Sequence, residues 1–245
     1  MCIIREVGMS RILIIGSTSG IGYALAEQLV NRGHLVGGCA RRLEILRDQK
    51  EKWGTHYFIE KLDLTEADSI EPALNSLKDQ LGGMDVCIIA SGISGKNREL
   101  DWEIERRVIE TNVTGFSSCA IWAIHHFLDQ GFGHLVGISS IAKNFGFINP
   151  AYNASKAFEH IYLQGLRFRF EKKGLQISTV LPGFVDTPMI EGQKRTFWVV
   201  PPRRAAQQII YGIENGKRVI YISKRWKAVN MISALLPEFV LRKIL

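Results

Sequence analysis

A three-layer α/β fold built on a doubly wound parallel sheet of seven strands is predicted by three features of the sequence. Short apolar runs alternate with amphipathic stretches from one end of the chain to the other. The apolar runs are near-continuous, as expected of strands buried on both faces, rather than alternating in-and-out as in a half-exposed sheet. No Pro/Ser-rich linker and no repeat of 20–50 residues divides the chain, so residues 1–245 read as a single domain.

Taken in order, residues 11–16 (RILIIG) form the first buried strand and residues 20–32 the helix after it. Residues 34–40 are a second strand, 43–52 a helix, 57–60 a short third strand and 67–81 a helix. The run MDVCIIA at 84–90 is a fourth strand, and helical periodicity then extends over 101–130. Residues 134–139 are the fifth strand, 151–172 a helix, 176–181 the sixth strand, 203–215 a helix and 218–222 the seventh strand. This strand–helix alternation places helices on both faces of a parallel sheet.

The four cysteines (Cys2, Cys39, Cys87 and Cys119) include no C-x-x-C pair, and three lie in apolar runs. They read as reduced, small hydrophobes of a cytoplasmic protein. The six histidines include the adjacent His125 and His126, but no spacing links them to cysteines or carboxylates as a metal site requires. No uninterrupted apolar stretch approaches the roughly 18 residues of a spanning helix. Residues 1–8, with Arg5 and Glu6, lack a signal-peptide core and precede a second methionine, Met9; they read as a loose extension or as the product of an upstream start.

The net charge of +7 is unevenly spread. Residues 194–245 hold eleven Lys/Arg against two Glu, a balance of +9, and the rest of the chain balances at −2. The C-terminal stretch 224–245 carries Trp226, Val229, Ile232, Leu235, Leu236, Phe239, Val240 and Ile244 edged by lysines and arginines, and Pro237 breaks it in two. A basic, Trp-bearing amphipathic segment fits peripheral contact at an anionic membrane face; it fits equally well packing on a second subunit or on its own domain. Nucleic-acid binding has only this basicity in its favour and no recognition motif.

Two local patterns carry chemistry. Gly16-Ser17-Thr18-Ser19-Gly20-Ile21-Gly22 lies directly between the first strand and its helix. Glycines allow a tight turn and close backbone approach, and a helix start offers free N–H groups and a positive dipole end to a pyrophosphate. The second strand ends in Ala40-Arg41-Arg42, with no acidic residue for the ribose hydroxyls of NAD; the two guanidiniums suit a 2′-phosphate, so NADP is preferred over NAD. The second pattern is Tyr152-Asn153-Ala154-Ser155-Lys156. Four residues apart on a helix, Tyr152 and Lys156 share a face. An ammonium beside a phenol favours the phenolate, which makes such a pair a general acid/base near neutral pH.

Together these residues resemble the short-chain dehydrogenase/reductase family in its common form of about 250 residues, a Rossmann fold. The likeness runs from about Ser10 to Ile222. It includes the glycine motif, Asp63 in Leu62-Asp63-Leu64, Asn112 in Thr111-Asn112-Val113, Ile138-Ser139-Ser140 after the fifth strand, the Tyr152/Lys156 pair, and Pro182-Gly183-Phe184-Val185-Asp186-Thr187-Pro188. Two departures stand out. The fourth strand ends Ile89-Ala90-Ser91-Gly92 where relatives have Asn-Asn-Ala-Gly. The catalytic serine lies thirteen residues before the tyrosine in relatives, a count that Ser139 meets; Ser140, one residue nearer, is the last residue of the strand motif and is chosen on the assumption of a one-residue deletion within 143–149.

The resemblance implies a catalytic set of Asn112, Ser140, Tyr152 and Lys156. Tyr152 exchanges a proton with the substrate oxygen, Ser140 stabilises charge there, Lys156 supports the phenolate and holds the ribose, and Asn112 anchors a relay water. It further implies a cofactor site made by Gly16, Ser17, Ser19, Gly20, Ile21, Gly22, Arg41, Arg42, Asp63, Leu64, Gly92, Tyr152, Lys156, Pro182, Gly183, Val185 and Thr187. A homo-oligomer is likewise implied. Phe145, Phe147, Phe184, Met189, Phe197 and Trp198 fall where relatives bind substrate and point to an apolar small molecule. A competing expectation is a non-catalytic NADP-binding sensor or scaffold on the same fold, which would have no need of the four-residue relay.

Overall fold

The computed structural model describes residues 8–95, 97–144, 146, 149–190 and 196–233. Seven strands, β1 (Arg11–Ile15), β2 (Leu35–Ala40), β3 (Tyr57–Lys61), β4 (Val86–Ile89), β5 (Gly133–Ile138), β6 (Leu175–Pro182) and β7 (Val219–Ile222), form one sheet in the order β3-β2-β1-β4-β5-β6-β7. Every pairing is parallel. The helices are α1 (Gly20–Asn31), α2 (Leu43–Trp53), α3 (Ala67–Leu81), α4 (Trp102–Ile109), α5 (Phe116–Gln130), α6 (Pro150–Phe170), α7 (Pro202–Glu214) and α8 (Lys224–Ser233).

The near-continuous strand hydrophobicity has the cause the sequence predicts. Along β1, Ile12 and Ile14 join one buried cluster with Leu25 and Leu29 of α1 and Ile209 and Ile213 of α7. Leu13 and Ile15, pointing the other way, join a second cluster with Leu74 and Leu77 of α3 and Phe116 and Phe127 of α5. Both faces of the strand are therefore in a core from Ile12 to Ile15, and the one polar residue, Arg11, sits at its half-buried start. The chain reverses its winding direction between β1 and β4, which are neighbours in space but not in sequence. Loops at the carboxyl ends of such strands diverge and leave a crevice, the usual place for a ligand in an open α/β sheet.

Two expectations are refined. The periodic stretch 101–130 is not one helix: α4 ends at Ile109, a π turn occupies Glu110–Gly115, and α5 follows. Helical periodicity in apolar residues barely registers a single extra residue in a turn, so the break is invisible to it. A helix also forms at the start of the basic C-terminal segment, over Lys224–Ser233. Residues 1–7 and 234–245, and with them most of the proposed loose extension and the segment beyond Pro237, lie outside the described residues, as do Phe145 and Phe147.

Candidate active site

The glycine loop follows β1 directly. Gly16 has φ +92 and its amide donates to Cys39 O of β2 at 2.8 Å. A Cβ there would come within 2.7 Å of Ser91 Cα, so the loops after β1 and β4 touch backbone to backbone. Gly20, at φ +55, opens α1, and a Cβ on it would lie 3.0 Å from Thr187 Cγ2. The 182–188 loop thus closes over the helix start. Ser19 stands at the N-cap without a side-chain cap bond, and the first turn of α1 holds no acidic residue. Its leading amides keep their capacity for an anion. Ser17 is fully buried: its Oγ is 2.9 Å from the Tyr57 hydroxyl, which is also 2.9 Å from Gln49 Oε1. Its side chain is committed to holding α2 and β3 under the loop. Ile21 is half-buried and packs on the core.

Arg41 and Arg42 are both exposed at the end of β2. Arg42 Nη2 donates to Thr18 Oγ1 at 3.0 Å, which brings its guanidinium over the glycine loop. Arg41 lines a groove with Ile93, Ser94, Gly95, Ile104, Arg107 and Val108. Asp63 Oδ1 accepts from Thr65 N (3.1 Å) and Thr65 Oγ1 (3.0 Å), a local turn that fixes the loop after β3. Leu64 is buried, and its backbone lies against the π turn, where a Cβ on Gly115 would meet Leu64 O at 2.6 Å.

The π turn presents Asn112. Its side chain is fully buried and both its donors are used: Oδ1 accepts from Ile93 N (2.9 Å), while Nδ2 donates to Ile93 O (2.9 Å) and Ser155 Oγ (3.0 Å). A widened turn at a functional position is a recurrent use of π geometry. A Cβ on Gly92 would fall 3.1 Å from Lys156 Nζ and 3.5 Å from Asn112 Oδ1, so these three residues meet at one point.

α6 begins with Pro150 at its first turn, a position where its missing N–H costs nothing. Tyr152 is half-buried, and its hydroxyl lies 3.9 Å from Met189 Sδ. Lys156 is buried, with Nζ 5.8 Å from the Tyr152 ring centroid. The two serines differ. Ser139 Oγ donates to Lys156 O at 2.6 Å and is spent on tying β5 to α6. Among the described residues Ser140 Oγ only accepts, from Ala142 N at 3.1 Å, which leaves its proton to be donated.

The 182–188 loop is held by α8. A Cβ on Gly183 would come 1.9 Å from Trp226 Nε1, so only glycine fits beneath this indole. Trp226 is 3% exposed and packs with Phe184, Phe197 and Trp198, the last of which also lies under Arg225. Val185 is buried and pairs with Val200. Trp226 is thereby engaged with the domain, not available to a lipid surface; among the described residues no helix is long and apolar enough to cross a membrane. Its place in this cluster has no local signal in the sequence.

Glu159 is a further charged residue at this site. It lies one turn beyond Lys156, is fully buried, and both carboxylate oxygens are 2.9 Å from Lys156 Nζ. A carboxylate one turn from Lys156 on the same helix stripe is the signal in the sequence that points to it.

Residues 10–196 match the family model of the short chain dehydrogenases. The chain belongs to the short-chain dehydrogenase family. An uncharacterized oxidoreductase of Myxococcus xanthus is 33% identical over 190 residues, 75% of this chain and 75% of that one. The cis-4-hydroxycyclohexanecarboxylate dehydrogenase of Sinomonas cyclohexanicum is 30% identical over 186 residues, 74% of this chain and 75% of that one. A short chain dehydrogenase from Burkholderia cenocepacia in complex with NADP shares the fold, with TM-score 0.84 at 22% identity over 100% of this chain and 99% of that one. As a short-chain dehydrogenase the chain is an oxidoreductase working between CH–OH and C=O groups.

Proposed function

We propose that this short-chain dehydrogenase is an NADP(H)-dependent enzyme, built as a single nucleotide-binding domain, that interconverts a carbonyl and an alcohol on an apolar small molecule. The observation that carries the reading is the meeting of Lys156 and Asn112 at Gly92, with Tyr152 one helical turn away and the Ser140 hydroxyl beside the strand end. The residues fit a dinucleotide. The uncapped, acid-free start of α1 suits a pyrophosphate, and the two exposed guanidiniums at the end of β2 suit a 2′-phosphate.

The nicotinamide, when bound, supplies or accepts the hydride. The chain does the rest. Tyr152 gives a proton to the substrate oxygen in reduction and takes it in oxidation. Ser140 donates to that oxygen and stabilises the charge growing on it. Lys156 steadies the phenolate and binds the ribose hydroxyls. With the Asn112 side chain committed to Ile93 and Ser155, a relay water would be held by its main-chain carbonyl. Thr187 orients the carboxamide, and Phe184, Phe197, Trp198 and Met189 wall an apolar substrate site. A homo-oligomer belongs to the same reading, as Ile161 and Phe168 stand exposed on α6.

A panel of carbonyls and alcohols followed by nicotinamide absorbance tests the function. Turnover with NADPH supports it, and binding without any turnover favours a sensor or scaffold instead. Replacing Arg41 and Arg42 together by alanine should raise the KM for NADPH about 10- to 100-fold, the worth of one or two charge-assisted hydrogen bonds, and leave the KM for NADH nearly unchanged. Equal losses for both cofactors would remove the 2′-phosphate assignment. Ser140→Ala should lower kcat about 100-fold or more with little change in melting temperature. Ser139→Ala should instead cost about 1–3 kcal/mol of stability, measured by urea unfolding, because Lys156 O loses a buried donor.

A further inference from the structure

The Lys156 ammonium has three N–H donors. All three are taken by the protein itself: two by the Glu159 carboxylate oxygens at 2.9 Å and one by Ile138 O at 3.1 Å. The role given to Lys156 above requires it to donate to ribose hydroxyls, so a bound cofactor must take donors away from an acceptor already present. Glu159 is the acceptor at issue. It is fully buried on the face of α6 turned to the sheet, where packing alone calls for an apolar residue. Among the described residues the hydrogen-bond partner of this carboxylate is Lys156 alone.

We propose that Glu159 is a positioning residue that competes with the ribose hydroxyls of NADP for the Lys156 ammonium and so sets the affinity for the cofactor. This rests on the functional reading above. Ionised, Glu159 keeps Lys156 drawn down toward Ile138. Protonated, it has lost its charge and needs the ammonium less, and Lys156 is released to the cofactor. Burial pushes the Glu159 carboxyl up to about 7, against the smaller opposing pull of Lys156. Among the described residues of α6 and of the elements packed on it (α4, the π turn, β5, β6 and the turns at 141–144 and 171–173), Lys156 is the one ionisable group that acts on this carboxyl.

The sign follows from that competition. Affinity for NADPH is highest where Glu159 holds a proton and falls as pH rises through about 7, where the carboxylate reclaims the ammonium. The test is the Kd for NADPH, read by nicotinamide fluorescence between pH 5.5 and 8.5, for the wild type and for Glu159→Gln. The variant should bind NADPH about fivefold or more tightly at pH 8, a coupling of ordinary size, and should lose this pH dependence. Titration of the 2′-phosphate is common to both proteins and cancels in the comparison. Identical affinities and pH profiles, with only the melting temperature lowered, would overturn the proposal and leave Glu159 a structural ion pair. Should Glu159→Gln not fold, Glu159→Asp retains the charge on a shorter reach: its affinity at pH 8 should rise toward the value at pH 6, and no rise counts against the proposal. If the wild type binds no NADPH at any pH, the functional reading itself fails and this inference goes with it. If the wild type binds and turns over but the variants leave the profile unchanged, only the role of Glu159 is lost.

Discussion

Tyr152→Phe is expected to lower kcat by about 100- to 10,000-fold while leaving the Kd for NADPH within about twofold, because general acid/base catalysis supplies rate enhancement of that order. The substitution removes one oxygen and keeps the ring. Tyr152 is half-buried, and the recorded contact of its hydroxyl is a long one to Met189 Sδ at 3.9 Å, so its loss creates no strongly buried unpaired group. Stability should therefore change little, and the effect should appear in steady-state turnover and not in thermal unfolding. The ring stays 5.8 Å from Lys156 Nζ, and the lysine keeps its bonds to Ile138 O and Glu159. Near-normal turnover in this variant would defeat the assignment of the proton donor.

The second large effect is expected at Gly22. An added Cβ would lie 2.0 Å from Gly16 O, 2.9 Å from Gly16 C and 3.3 Å from Ser17 Cα. All three atoms are backbone of the glycine loop, so no side chain can swing aside. Either the loop or the start of α1 must move. Gly22→Ala should cost about 1–3 kcal/mol, as overpacking does, and lower the melting temperature by roughly 2–4 °C for each kcal/mol. The larger consequence is for the ligand: shifting the amides proposed to face a pyrophosphate should weaken NADPH binding at least tenfold, about 1.4 kcal/mol. Gly33→Ala is the control. A Cβ at Gly33 meets nothing within 4 Å, and only its φ of +82 is unfavourable. It should cost stability without touching cofactor affinity. Titration of both variants with NADPH separates the two. Wild-type affinity in Gly22→Ala would mean that this loop does not cradle the cofactor.

Much of this could be read in one dimension because its causes are local. A strand buried on both faces favours an unbroken apolar run, and Ile12–Ile15 of β1 and all of β4 announce themselves that way. The glycine loop is recognisable because tight turning, close helix–strand packing and access to helix amides all demand glycines at short, fixed spacing. Tyr152 and Lys156 are recognisable because one helical turn brings them together regardless of the rest of the chain. Periodicity failed at the π turn, since adding one residue to one turn leaves the apolar stripe of 101–130 nearly intact while moving Asn112 into place.

What the sequence by itself determined was the parallel α/β frame, the glycine loop after β1 and the paired tyrosine and lysine, all of which depend on residues within a few positions of one another. Tertiary structure alone decided the partners that come from afar or lie in the core. It spent the Ser139 hydroxyl on Lys156 O and left that of Ser140 to donate. It laid Trp226 of α8 over Gly183, and it buried Glu159 against the ammonium of Lys156. The physical reason is that spacing along a chain prescribes which face a side chain shares, whereas burial, hydrogen-bond competition and close packing depend on which distant backbone and side chains arrive to fill the same space.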